Sequence, residues 1–280
     1  SYPMKVFKTT SNIIIEANGQ KYNAGEHDWD TFINRDNLAT HLREHLGSAK
    51  PVTEEWFSAQ TLEAPIGSQE IWAAGVTYLR SRDARMEESK DAGGGTFYDK
   101  VYEAARPEIF YKGTRHRTVG PLGKVRIRRD STWNVPEPEL TLFITTNGSI
   151  VGYTAGNDMS SRSIEGENPL YLPQAKVYDG CAGLGPCLYV PGHPIDENTR
   201  ITLDIKRGGK SVFSNSLAIT QMKRKHVELA GYLFMECSFP TGAFLMTGTG
   251  IVPPNDFTVA TDDEILITID NIGTLVNIVA

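Results

Sequence analysis

The run Glu137-Pro138-Glu139-Leu140-Thr141-Leu142-Phe143-Ile144-Thr145, then Asn147-Gly148, then Ser149-Ile150-Val151-Gly152-Tyr153-Thr154, decides the fold class. Both flanking runs are rich in β-branched and aromatic residues, which suit a pleated, half-buried surface. Asn-Gly between two such runs is a strong hairpin signal, because both residues tolerate positive φ. Glu139–Thr145 and Ser149–Thr154 therefore read as the two strands of an antiparallel hairpin. Pro138 has no N–H to give a ladder, so it predicts a sheet edge or a strand entrance. Glu137 and Glu139 lie two residues apart in extended chain and share a face. The returning strand leads into Gly156-Asn157-Asp158, which brings Asp158 beside Glu139.

Outward from this hairpin, further β-prone runs appear at Met4–Phe7, Ile13–Glu16, Ile71–Val76, Cys187–Val190, Arg200–Lys206, Ser211–Ser214 and Glu264–Ile269. Helical spacing is clear at Arg35–Leu46 and at His226–Cys237, where Val227, Ala230, Leu233 and Phe234 form one stripe. Gly93-Gly94-Gly95 costs much backbone entropy to order, so Lys90–Phe97 reads as a mobile loop. Strands outnumber helices and do not alternate with them, which argues for an α+β architecture and against a doubly wound sheet. Pro65-Ile66-Gly67-Ser68 is the expected junction between a small N-terminal α+β domain, residues 1–65, and a larger domain, residues 66–280.

Composition narrows the function. The net charge of -6 disfavours non-specific nucleic-acid binding, which needs clustered positive charge. The one basic stretch, Lys124-Val125-Arg126-Ile127-Arg128-Arg129, alternates like a strand and reads as a solvated strand face. The 3 cysteines are odd in number and form no Cys-x-x-Cys pair, so a disulfide framework is not expected and a reducing compartment is. No apolar run is long enough to span a membrane, and the first residues carry no signal-like apolar core. A cytoplasmic protein without membrane contact is the expectation.

Nucleophile elbows and phosphate-binding loops are absent. His41 and His45 lie one helical turn apart, but the helix offers no third ligand, so a zinc site is not expected and both read as surface residues. Glu137, Glu139 and Asp158 allow two readings: a hard-cation site that keeps open positions, or a charged strand edge that blunts aggregation. Lys176, in Gln174-Ala175-Lys176-Val177, likewise reads either as a surface lysine or as a buried one whose pKa falls toward neutrality.

Several segments in order resemble the fumarylacetoacetate hydrolase superfamily. They are Pro107-Glu108-Ile109-Phe110-Tyr111-Lys112, Glu137-Pro138-Glu139-Leu140, the stretch Gly152 to Arg162, Gln174-Ala175-Lys176, Gly185-Pro186, Thr247-Gly248-Thr249-Gly250 and Asp270-Asn271-Ile272-Gly273-Thr274-Leu275-Val276-Asn277. The resemblance implies a mixed β-roll catalytic domain, with Mg2+ (or Mn2+) held by Glu137, Glu139 and Asp158. It implies a small 2-oxo acid substrate that chelates this ion, and a homodimer or homotetramer. The family's carbon–carbon hydrolases carry a histidine and a glutamate after the first strand of this domain, and here Ser81 and Ala84 occupy those places. The general base that would activate water is thus missing.

The local pattern instead resembles the family's sugar-acid branch. That implies a lyase that dehydrates a 2-keto-3-deoxy sugar acid to 2-oxoglutarate semialdehyde, with Glu108 and Lys176 moving protons. Arg80, Ser81, Arg82, Gln174, Thr247 and Thr249 are the residues expected around the substrate. Arg85 shares the polarity of Arg80 and Arg82, and surface ion pairing stays open for each. The alternatives are an acylpyruvate hydrolase or oxaloacetate decarboxylase, and a non-catalytic module that binds a metal and an oxo acid.

Overall fold

The computed structural model describes residues 2–280. Its centre is the expected hairpin, with strands Pro138–Ile144 and Ile150–Asp158. The chain reverses over residues 146–148, between Thr145 and Ser149, whose backbones pair at 2.9 Å. Gly148 takes the left-handed φ of 85°, and its N–H bonds back to Thr145 O at 2.8 Å. This is a three-residue loop closed by a glycine, not the two-residue Asn-Gly turn.

Around the hairpin grows a large mixed sheet. Its order is Lys50–Val52, Gln20–Gly25, Ile13–Ala17, Met4–Lys8, Ala182–Val190, Ile150–Asp158, Pro138–Ile144, Ala243–Met246, Glu70–Gly75, Glu108–Thr114. Ala243–Met246 runs parallel to Glu70–Gly75, and the other neighbours in this series are antiparallel. The segment 2–65 thus continues the central sheet through Met4–Lys8 against Ala182–Val190.

A second sheet, Lys210–Ala218, Arg200–Arg207, Glu264–Ile269, Gly273–Val279 and Lys124–Val125, covers one face of the first. Leu203, Ile205, Ile265, Ile267 and Leu275 there meet Leu140, Leu142, Ala155 and Cys187 in one core. On the opposite face Phe143, Leu184, Leu188, Phe244 and Met246 pack with Trp29, Phe32, Leu38 and Leu42. Both faces of Pro138–Ile144 are therefore buried, which is why it reads as a continuous apolar run instead of an alternating one. Pro138 marks the strand entrance as expected, but its strand is central, not an edge.

Four local expectations are corrected. The basic stretch is a strand only at Lys124–Val125, beyond which Arg128 pairs with Asp130 at 2.6 Å. The helix expected from Arg35 begins at Leu38, after a separate short helix Trp29–Ile33 capped by the Asp28 side chain. The helix at His226 ends at Phe234, short of Cys237. The stretch Lys90–Phe97 is not a loop: a 3-10 turn, Lys90–Ala92, is followed by the helix Gly95–Glu103. The triplet supplies the junction, with Gly93 left-handed at φ 74°.

Candidate active site

The hairpin register creates the acidic centre. Glu137 and Asp158 face each other across the ladder and exchange both backbone bonds, at 3.1 and 3.0 Å. Opposed residues of an antiparallel pair point to one side, and Glu139 shares that side with Glu137. One carboxylate oxygen from each of the three comes within 4.8 Å of the others; Glu139 and Asp158 are fully buried and Glu137 is nearly so. The backbone N–H of Gly248 donates to Glu139 Oε1 at 2.6 Å, while Glu139 Oε2 is buried without a partner. Burial, and then the charges of Asp158 and Glu137, push the Glu139 carboxyl well above the usual range.

Two lysines enter this centre. Lys176, at the end of the helix Leu172–Lys176, is 1% exposed. Its Nζ lies 3.2 Å from both Glu137 Oε1 and Asp158 Oδ2, 3.3 Å from Glu165 Oε1, and 2.7 Å from Ser160 Oγ. Burial draws its pKa down, but Asp158, Glu137 and Glu165 outweigh that and the net shift is upward, opposite to the fall expected for a buried lysine. Lys112 is fully buried, donates to Met159 O and Lys176 O at 2.8 and 2.6 Å, and pairs with Asp158 Oδ1 at 2.6 Å. Burial would raise Asp158, but Lys112 and Lys176 hold its carboxyl far below the usual range.

The helix Leu79–Glu88 forms the roof. Arg85 reaches Glu108 Oε1 at 3.1 Å, Glu88 at 3.5 Å and Glu165 at 3.6 Å. Arg162, stacked over Trp133, lies 3.7 Å from Glu88 and 4.0 Å from Glu137. Burial, and then the charge of Glu165, push Glu88 well up. Glu165 is drawn down to about 2, because Lys176, Arg85 and Arg162 together outweigh its burial. Glu108 opens the strand Glu108–Thr114 opposite Gly75, where a side chain would overlap its carboxylate.

Counted as ionised, the six carboxylates Glu88, Glu108, Glu137, Glu139, Asp158 and Glu165 outnumber the cations Arg85, Lys112, Arg162 and Lys176 by two. The two carboxyls pushed up, Glu139 and Glu88, would take up that excess as protons. One divalent cation at the triad removes it instead, and the unpartnered Glu139 Oε2 is a free ligand atom for it. The residues present therefore fit a hard divalent ion.

The other expected residues divide. Ser81 is buried at the roof, but its hydroxyl closes the helix start by donating to Tyr78 O at 2.7 Å and accepting from Tyr78 N at 3.2 Å. Thr249 lines the small cavity with Arg85, Arg162 and Glu137, while the Thr247 hydroxyl is spent on Leu140 O at 2.6 Å. Three residues are not brought to the centre. Arg82 pairs with Asp83 and Asp99 and stacks on Tyr102 at the surface. Arg80 makes no ion pair among the described residues, and Gln174 is exposed. Arg85 takes the inward place, and Glu88, Lys112, Arg162 and Glu165 join it without having been assigned from the sequence.

Residues 71–280 match the fumarylacetoacetate (FAA) hydrolase C-terminal family. The chain belongs to that family. It is 44% identical over 243 residues to a probable 2-keto-3-deoxyxylonate dehydratase of Haloferax volcanii, covering 86% of this chain and 81% of the relative. It is 43% identical to a 2-dehydro-3-deoxy-D-arabinonate dehydratase of Saccharolobus solfataricus, over 76% of this chain and 72% of that one. A solved structure of 2-keto-3-deoxy-D-arabinonate dehydratase, complexed with magnesium and 2,5-dioxopentanoate, superposes with a TM-score of 0.82 at 33% identity, covering 99% of this chain and 98% of that one. The mixed β-roll expected of the family is the fold found.

Proposed function

We propose that the protein is a magnesium-dependent hydro-lyase that converts a 2-keto-3-deoxypentonate to 2-oxoglutarate semialdehyde (2,5-dioxopentanoate). The observation that carries this reading is the buried carboxylate triad in direct contact with Lys176, in a chain similar to two sugar-acid dehydratases. The relatives' two substrate names converge chemically. In the D series, arabinonate and xylonate differ only at C2 and C3, and a ketone at C2 with a methylene at C3 erases both centres. One C4-configured molecule answers to either name.

Glu137, Glu139 and Asp158 would hold the cation, which when bound polarises the C2 ketone and acidifies the C3 hydrogens. Lys176 and Glu108 are the proton-moving groups. One removes a C3 proton, and the other delivers a proton to the departing C4 hydroxyl, which leaves as water. A proton then leaves C5 and one returns to C3, which moves the double bond to C4–C5, and the resulting C5 enol tautomerises to the aldehyde by gaining a proton at C4 and losing its hydroxyl proton. Arg85 orients the Glu108 carboxylate through two donors, at 3.1 and 3.4 Å. Arg162 and Thr249 face the small cavity of about 20 Å³ and line the path of the substrate. That volume is too small for a five-carbon acid, so the roof helix Leu79–Glu88 and its neighbour Gly95–Glu103 must lift on binding.

The protein is proposed to work in the cytoplasm as a homodimer or homotetramer. Among the described residues no helix is long and apolar enough to cross a membrane. Incubation with 2-keto-3-deoxypentonates and with acylpyruvates, with and without Mg2+, tests the function. Semialdehyde formed only with Mg2+ is expected, and pyruvate from acylpyruvates without semialdehyde refutes the lyase reading.

A further inference from the structure

The small cavity beside the triad has few polar groups left to offer a ligand. Thr249 Oγ1 donates to Ile251 O at 3.2 Å and accepts from Ile251 N at 3.1 Å. The Ser81 hydroxyl is likewise bonded to Tyr78 on both sides. Ala74, Gly75, Val76 and Gly248 line the same space without a polar side chain. Glu88 differs from all of these. It ends the roof helix Leu79–Glu88, its side chain is 1% exposed, and its Oε1 is buried without a hydrogen bond. An oxygen dried in this way and left unbonded is costly, and a ligand group that bonds to it relieves the cost.

Two guanidinium groups fix where Glu88 stands. Arg85 faces Glu108 with its two Nη atoms, at 3.1 and 3.4 Å, and faces Glu88 with its Nε, at 3.5 Å. The two carboxyls are therefore neighbours on one planar group. Arg162 lies 3.7 Å from Glu88 and 4.0 Å from Glu137, so Glu88 stands one guanidinium beyond a member of the triad. A pentonate held at the triad through C1 and C2, with C3 and C4 between Lys176 and Glu108, runs its last carbon toward Glu88.

We propose that Glu88 recognises the C5 hydroxyl of the substrate and makes the enzyme selective for acids that carry it. The inference rests on the dehydratase reading and deepens it. A hydroxyl both donates and accepts. The Glu88 carboxyl offers it an acceptor oxygen whether ionised or protonated, and Arg162 Nη1, buried and also without a hydrogen bond, is the donor beside it. Because Glu88 and Arg85 share the roof helix, closure over the bound acid sets the C5 contact together with the Arg85–Glu108 pair. An acid that ends in a methyl group leaves the Glu88 oxygen and Arg162 Nη1 unbonded in a dry site, and a site built for a hydroxyl rejects such an analogue strongly.

The test compares water loss from a 2-keto-3-deoxypentonate with water loss from 4-hydroxy-2-oxopentanoate of the same C4 configuration, the same chain with a methyl group at C5. Both lose a C3 proton and the C4 hydroxyl, and NMR follows the disappearance of each acid with Mg2+ present. The parent should favour the hydroxylated acid by at least about a hundredfold in kcat/KM. Glu88→Met, of similar length but without an acceptor oxygen, should lower that ratio at least about tenfold, the worth of one hydrogen bond. The loss should fall on the pentonate and not on the methyl acid. Glu88→Gln keeps an acceptor oxygen and should retain most of the ratio. Each ratio is taken within one protein, so general damage to the fold cancels. A parent that dehydrates both acids equally well, or a Glu88→Met ratio equal to the parent's, overturns the role of Glu88 and leaves the dehydratase reading standing. A parent that dehydrates neither acid refutes the dehydratase reading, and the role of Glu88 with it.

Discussion

Gly75→Ala is the sharpest probe of the proposed catalytic geometry, because it adds one methyl group beside a single functional atom. A Cβ built on Gly75 falls 2.0 Å from Glu108 Oε1, 2.9 Å from its Cδ and 3.4 Å from Arg85 Nη2. Such contacts do not close below 3.0 Å, so the carboxylate must retreat by at least about 1 Å. Misplacing a reacting group by about 1 Å costs on the order of 10²-fold in rate, or about 2.7 kcal/mol of barrier. The backbone is not at fault, since Gly75 does not have a positive φ and alanine adopts its conformation without strain. Nor does the methyl group touch a metal ligand.

The expected outcome is therefore a kcat lowered about a hundredfold, with Mg2+ affinity by calorimetry and the thermal midpoint close to parent. Steady-state aldehyde formation, followed as a hydrazone, measures the rate. Glu108→Gln is the companion variant. If Glu108→Gln is inactive while Gly75→Ala turns over like the parent, the crowding argument is refuted. If Glu108→Gln itself is fully active, the role proposed for Glu108 is wrong.

Lys176→Ala should retain Mg2+ binding yet lose about two to four orders of magnitude in turnover, the size of a missing general acid or base; parental turnover would remove Lys176 from the mechanism. Lys112→Met should cost about 3–5 kcal/mol of stability by chemical denaturation, because it strands Asp158 and two carbonyls in a dry interior. The metal-stripped protein should lose stability as pH rises above about 4.3, the unfolded glutamate value, since a carboxyl raised in the folded state stabilises only while protonated. Added Mg2+ should cancel that loss and release protons in buffers of differing ionisation enthalpy, and Glu139→Gln should flatten the slope. Amide exchange over residues 79–103 should differ between the free protein and the protein with product and Mg2+ bound, as the roof moves; identical exchange in both states would argue against a lifting roof.

How far the sequence reached depended on which period was visible. The hairpin and its three acids were legible because two β-prone runs flanked a glycine turn, and a period of two fixed which carboxylates share a face. The strand's central place was not legible, since Pro138 forbids only one ladder bond and says nothing of what lies beyond it. The arginine choice failed for a different reason. Residues 81–89 are polar and rich in both charges, which shows no apolar period, but most of them are helix, and Ser81, Arg85 and Glu88 recur at i, i+4 and i+7 on one face. A helical reading of that stretch would have selected Arg85 over Arg80 and Arg82. Lys112 also had a signal, since Glu108, Phe110 and Lys112 alternate along one strand.

The same metal platform can serve hydrolysis or dehydration, and the roof helix decides between them in the proposed mechanism. Hydrolysis needs a base that holds a water molecule against the substrate carbonyl. At the two roof positions where the resemblance to the hydrolases places that pair, this chain has the hydroxyl of Ser81 and the methyl group of Ala84. Ser81 is already saturated, because its oxygen donates to Tyr78 O and accepts from Tyr78 N in closing the helix start. Removing it should therefore cost about 1 kcal/mol of stability, as a lost cap does, and little in turnover. What the roof offers instead is Arg85, which fixes Glu108 from one side and Glu165 from the other, with Glu165 touching Lys176 in turn. Such a chain holds the two proposed proton carriers in place and gives water no activated seat. A leaving hydroxyl that accepts a proton is served by it; an attacking water that must lose one is not.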